Sequence, residues 1–134
     1  MLLPQLAIAH ALAGDYGGQV ALDRQLLSLD KSHRGALRRL TYGLLRIGSS
    51  ESIAEAQILA NTLARVAPDD ARTALVSRVA RRFGMWQMKA RRSPGTPAPA
   101  ELLDRFPLLE VREQARILDD QRLLRVRSRS GAGT

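Results

Sequence analysis

The sequence predicts an all-α fold built from helical hairpins, and three observations carry that prediction. Apolar residues recur at three- and four-residue steps through most of the 134 residues. Short breaks rich in Gly, Ser, Asp and Pro separate these runs. The order of run, break and run then recurs further along the chain.

Leu3, Leu6, Ala7, His10 and Ala11 share one helix face, and the polar turn Gly14-Asp15-Tyr16-Gly17-Gly18 follows. Leu22, Leu26 and Leu29 continue on a second helix that closes at Asp30. Leu37, Leu40, Leu44 and Ile47 form a third stripe, Gly48-Ser49-Ser50 a break, and Ala56, Ala60, Leu63 and Ala67 a fourth stripe that stops at Pro68-Asp69-Asp70. Asp69 is the expected N-cap of the next helix, whose Leu75, Val79 and Phe83 lie on one face. His10 reads as a packing residue within its helix, and His33 as a helix-start residue.

These hairpins resemble the tetratricopeptide repeat. Gly14-Asp15-Tyr16 stands where that repeat ends its first helix, and Asp30 stands where it closes its second. Ala56, Ala60 and Pro68 match the small residues and closing proline of a second copy, and Arg72 to Phe83 begins a third. The chain departs from the pattern at Lys31, where the repeat has proline, and at Gln19, where it has a small packing residue. It departs again at Ser50 to Ser52, which make the second turn three residues too long. The match covers residues 3 to 84, under three of the ~34-residue units that stack in this class. What the resemblance implies is a short solenoid and a role as a protein-interaction adaptor or chaperone, within a bacterial assembly such as a secretion or pilus apparatus.

The repeat-like domain is expected over residues 1–92. Three prolines make Ser93 to Ala100 a semi-extended linker, because each removes a backbone donor and fixes φ. Pro99 and Pro107 suit the first positions of helices, giving a short helical turn near Ala100 to Arg105 and a longer helix from Pro107 to Arg127. Leu108, Val111, Ala115 and Leu118 give this C-terminal helical segment, 101–127, an apolar stripe that is the expected interface of a homodimer. The Gly- and Ser-rich tail, 128–134, is expected to be disordered.

No cysteine is present, which excludes disulfides, thiol catalysis and thiolate metal sites and suits a cytoplasmic protein. No apolar run approaches the ~20 residues of a membrane span. The apolar start, Met1 to Ala13, has no basic leader and is shorter than a secretory signal of ~15–30 residues, so it reads as helix. His10 and His33 have no spacing that lets them share a metal. The adjacent pairs Asp69-Asp70 and Asp119-Asp120 point apart on a helix, and no phosphate loop or nucleophile elbow appears. The reading is a protein that is not an enzyme and takes no cofactor or metal.

Twenty-one basic residues against 13 acidic ones give a formal net charge of +8, which points to an acidic partner. From Ala71 to Ala100 there is no acidic residue, while Arg72, Arg78, Arg81, Arg82, Lys89, Arg91 and Arg92 all fall there, interleaved with Phe83, Met85, Trp86 and Met88. Arg78, Arg81, Lys89, Arg91 and Arg92 are the candidate basic patch. The simpler reading is that Trp86 and the two methionines cover the open end of the last repeat, with the cations kept in water.

The resemblance also implies a groove lined by the first helices of successive repeats. Arg38, Tyr42 and Arg46 would come from one helix, and Arg72, Leu75, Val79 and Arg82 from the next. Such a groove suits an acidic or amphipathic peptide. Tyr42 stands where the family's carboxylate clamp has asparagine, so recognition of a chain terminus is not expected. The alternative function is a basic helical domain that binds nucleic acid weakly. One continuous basic stripe would favour it, whereas arginines divided between groove and outer surface favour the adaptor.

Overall fold

The structure, a computed structural model, describes residues 3–104. It contains five helices: α1 (Leu3–Leu12), α2 (Tyr16–Leu29), α3 (Arg34–Ile47), α4 (Ser50–Val66) and α5 (Ala71–Arg92). A 3-10 turn, Ala100–Asp104, follows, and there is no strand among the described residues. Over the described residues the chain is all-α and built from helical hairpins, as its periodicity predicts. The expected helix from Pro107 to Arg127, the dimer interface on it and the tail 128–134 lie outside the described residues.

The starts of α2 to α5 are each fixed by a side chain that meets an otherwise unsatisfied backbone N–H. Asp15 Oδ1 accepts the Gly18 N–H at 3.0 Å, His33 Nδ1 the Ala36 N–H at 3.0 Å, and Ser49 Oγ the Ser52 N–H at 3.1 Å. The histidine cap requires an Nδ1 without a proton. At α5 the cap is Asp70, whose Oδ1 accepts the Arg72 N–H at 2.9 Å, and not Asp69. Either aspartate carries the needed acceptor, and α5 begins one residue later than the sequence suggests. Gly14 (φ +78°) and Gly48 (φ +74°) end α1 and α3 in the left-handed region that glycine enters without a Cβ clash. Ser50 to Ser52 belong to α4, so the residues expected to lengthen the second turn lengthen the helix instead.

Consecutive helices pack on one another, and α3 also touches α1 and α5. That central position buries every residue from Gly35 to Leu45. Leu37, Leu40, Leu44 and Leu45 meet Ile53 and Leu63 of α4 and Val76, Val79 and Phe83 of α5 in one core. Each such side chain contributes roughly 1.5–3 kcal/mol on burial.

The seam between α2 and α3 is close. A Cβ on Gly43 would lie 2.7 Å from Gln19 Oε1 and 2.9 Å from Val20 Cγ2. The small residue of this seam therefore stands on α3, which makes room for the long Gln19 on α2. Gln19 Nε2 donates to the Arg39 carbonyl oxygen and, at 3.1 Å, to Asp23 Oδ2.

After α5 the chain folds back. The Thr96 N–H and hydroxyl both donate to the Ser93 carbonyl, Gly95 takes φ +93°, and Trp86 Nε1 donates to the Thr96 carbonyl at 2.9 Å. The three prolines exclude helix from 93–99, as expected, but the segment is a reversal rather than an extended spacer. It returns Leu103 to the main core, against α3. No described helix is long and apolar enough to cross a membrane.

Candidate functional site

The predicted groove residues divide into two clusters and a remainder. On α3, Tyr42 is buried, with its ring edge-on to Tyr16 at 5.9 Å between centroids. Its hydroxyl accepts from Arg46 Nε at 3.0 Å, and Arg46 Cζ lies 5.3 Å from the Tyr42 centroid and 6.0 Å from that of Tyr16. Arg46 Nη2 reaches Asp104 Oδ1 of the 3-10 turn at 3.3 Å. Burial pushes the Tyr42 phenol up, and the neighbouring guanidinium opposes that.

The second cluster forms around Asp70. Arg38 is only 4% exposed, with Nη1 3.6 Å from Asp70 Oδ2, while the exposed Arg72 places Nε 3.3 Å from Asp70 Oδ1. The Arg72 N–H, then the Arg72 guanidinium, hold the Asp70 carboxyl below its usual range, and Arg38 acts in the same sense. Val79 is buried, Leu75 half-buried against the core, and Arg82 exposed. Tyr42 and Val79 thus present almost no surface. Their helices face each other across the core, and the returning 3-10 turn covers α3.

A third polar group was not singled out in the sequence. Asp23 and Arg39 form an ion pair whose side chains are 0% and 2% exposed, with Nε and Nη2 both 3.1 Å from Oδ1. Burial pushes the Asp23 carboxyl up, and Arg39 and Gln19 hold it down against that. The available signal was Gln19 and Asp23 four residues apart on the face of α2 that also carries Val20 and Leu27.

The outer face of α5 is different. Arg78, Arg81, Met85, Met88 and Arg92 follow one another at helical steps, flanked by Arg82 and Lys89, and all seven are exposed. The stripe is about 21 Å long at 1.5 Å per residue. Among the described residues no carboxylate forms an ion pair with Arg78, Arg81, Arg82, Lys89, Arg91 or Arg92. Met85 and Met88 are 59% and 63% exposed. Only Trp86 of the three expected covering residues turns inward, edge-on to Phe83 at 6.3 Å. The methionines fall on the opposite side of the helix from Val76 and Phe83, so they stay in water.

His10 Nδ1 lies 2.8 Å from Asp15 Oδ2, and His33 is engaged as a cap. Among the described residues no group of three or more His, Asp or Glu is placed to hold a metal. The hollow of about 360 Å³ between α4 and α5 offers Gln57, Asn61, Ser77 and Arg81 but neither carboxylate nor imidazole. No family model, curated protein or solved structure matches the chain.

Proposed function

We propose that this chain is a non-catalytic interaction adaptor that holds an acidic, amphipathic segment of a partner protein on the outer face of α5. The observation that carries this reading is the exposed stripe in which Met85 and Met88 lie between arginines, on a helix that contains no carboxylate. Arg and Met are the residue types enriched at the cores of protein interfaces, and methionine adapts its shape to the surface it meets. A partner helix with one acidic and one apolar flank satisfies both components. The resemblance to tetratricopeptide repeats agrees with an adaptor or chaperone role. It extends the proposal to work in the cytoplasm within a bacterial assembly of the secretion or pilus kind.

A phosphate backbone is the second reading, favoured by the exposed cations spread along α5 from Arg78 to Arg92. It would give weak, sequence-independent binding of about 10⁻⁴–10⁻⁶ M that falls with salt. Trp86 and Phe83 are turned inward, so the face offers no aromatic ring on which a base can stack.

Fluorescence anisotropy with two probes separates the readings: a helical peptide with glutamate and leucine flanks, and a single-stranded DNA oligonucleotide. Exchanging Met85→Ser together with Met88→Ser weakens the peptide about tenfold and leaves DNA unchanged. Arg81→Glu with Arg82→Glu weakens both. Peptide binding that survives the methionine exchange overturns the adaptor reading.

A further inference from the structure

Arg46 is oriented by its own helix and by α2, before any carboxylate is considered. Its Nε is committed to the Tyr42 hydroxyl, and its guanidinium lies against the Tyr42 and Tyr16 rings. This leaves Nη2 to donate to an acceptor, and a carboxylate oxygen supplies one through a single charge-assisted bond, as Asp104 Oδ1 does. Next to it the surface of α3 receives two leucines, Leu103 at 2% exposure and the half-buried Leu102. An oriented cation beside an apolar seat selects a short segment that is both acidic and leucine-bearing.

The segment found there is Ala100-Glu101-Leu102-Leu103-Asp104. Among the described residues it is held by Leu103 in the core, by the half-buried Leu102 and by the ion pair from Asp104 to Arg46. The Asp104 side chain is 70% exposed, Ala100 and Glu101 are exposed, and most of residues 93–98 leading to it are exposed as well.

We propose that the α3 surface formed with Tyr16, Tyr42 and Arg46 is a binding site for a short acidic, leucine-bearing peptide, and that residues 100–104 occupy it in cis where a partner segment docks. The tether through residues 93–99 presents the internal occupant at an effective concentration of millimolar order, so an external peptide of equal intrinsic affinity is excluded. Weakening the internal contacts opens the seat. This site uses α2 and α3 and is independent of the α5 stripe, so either can fail without the other.

The test uses the full chain and a labelled peptide copying residues 97–104, followed by anisotropy. Leu103→Ala with Asp104→Lys unseats the turn and is expected to tighten peptide binding at least about tenfold over the native chain. Adding Arg46→Glu to that variant removes the gain, while adding Arg81→Glu and Arg82→Glu does not. Should the double variant lose its helical circular dichroism, Asp104→Lys alone keeps Leu103 in place and is expected to give about a threefold gain. Equal affinity in native and released chains overturns the proposal. A gain that persists with Arg46→Glu overturns it equally.

Discussion

On α3, three arginines lie against carboxylates from three other segments: Arg38 near Asp70, Arg39 with Asp23 and Arg46 with Asp104. On α5, Arg72 lies against Asp70, and the other six cations form no ion pair with a carboxylate among the described residues. The residue type is the same, and burial differs because α3 is surrounded by α1, α2, α4 and α5 whereas α5 rests on α3 and α4. A buried arginine must bring its counter-charge with it, while a solvated one has water. Net charge is therefore a poor guide to function until it is divided by location. Arg39 belongs to the fold, and the α5 stripe stands exposed to water.

The sharpest way to break this comparison is to remove one member of the buried pair. Arg39→Met leaves the Asp23 carboxylate in the seam and is expected to cost about 3–5 kcal/mol in urea denaturation, whereas Asp23→Leu added to it recovers most of that loss. Arg81→Ala on the outer face is expected to change stability by no more than about 0.5 kcal/mol. A similar loss at both positions would erase the distinction.

Glycine sharpens it next. On α3, Gly43→Ala drives a methyl into Gln19 and Val20 and disturbs the bond from Gln19 to the Arg39 carbonyl, so a net loss of about 1–2 kcal/mol is expected in the same assay. On α5, a Cβ at Gly84 meets the amide end of the half-buried Gln57. That side chain is able to swing outward, and Gly84→Ala is expected to be neutral or to stabilise by up to about 1 kcal/mol through helix propensity.

The smallest effect concerns acid. Asp70 and Asp15 have carboxyls held below the ordinary value of 3.8, so their contribution to stability is present above it and is lost as pH falls through the lower, folded value. Asp23 has the opposite sense: its raised pKa gives a contribution that is present below 3.8 and lost as pH rises through the folded value. Asp70→Asn keeps an N-capping acceptor but not the charge. Thermal melts at acid pH should show a shallower decline for that variant than for the native chain, and parallel curves would contradict the assignment.

Much of the fold was legible because helix formation is local. Stripes at three- and four-residue steps placed the helices, and the glycine, serine and aspartate breaks placed the turns. Asp69 and Asp70 were not separable, since both carry the capping acceptor and the packing of α5 sets the register. The candidate site was less legible. The resemblance put Arg38, Tyr42 and Arg46 on one helix face, but covering that face depends on the reversal at Ser93 to Thr96 and on the bond from Trp86, both of which lie far along the chain from α3. Asp23 was not singled out because its partner stands 16 positions away. Met85 and Met88 looked like cover for the core because apolar character alone does not say which side of a helix faces inward.

The tryptophan at position 86 is the only one in the chain, and its indole N–H is tied to a carbonyl of the returning segment. It sits one residue from Met85 and two from Met88, yet it turns inward while both methionines are exposed. The molecule therefore contains its own optical gauge. Release of residues 93–104 exposes the indole to water and shifts its emission to longer wavelength, whereas a ligand that settles on the methionine side leaves the indole bond intact. Intrinsic fluorescence distinguishes occupancy of one surface from opening of the other in a single unlabelled sample.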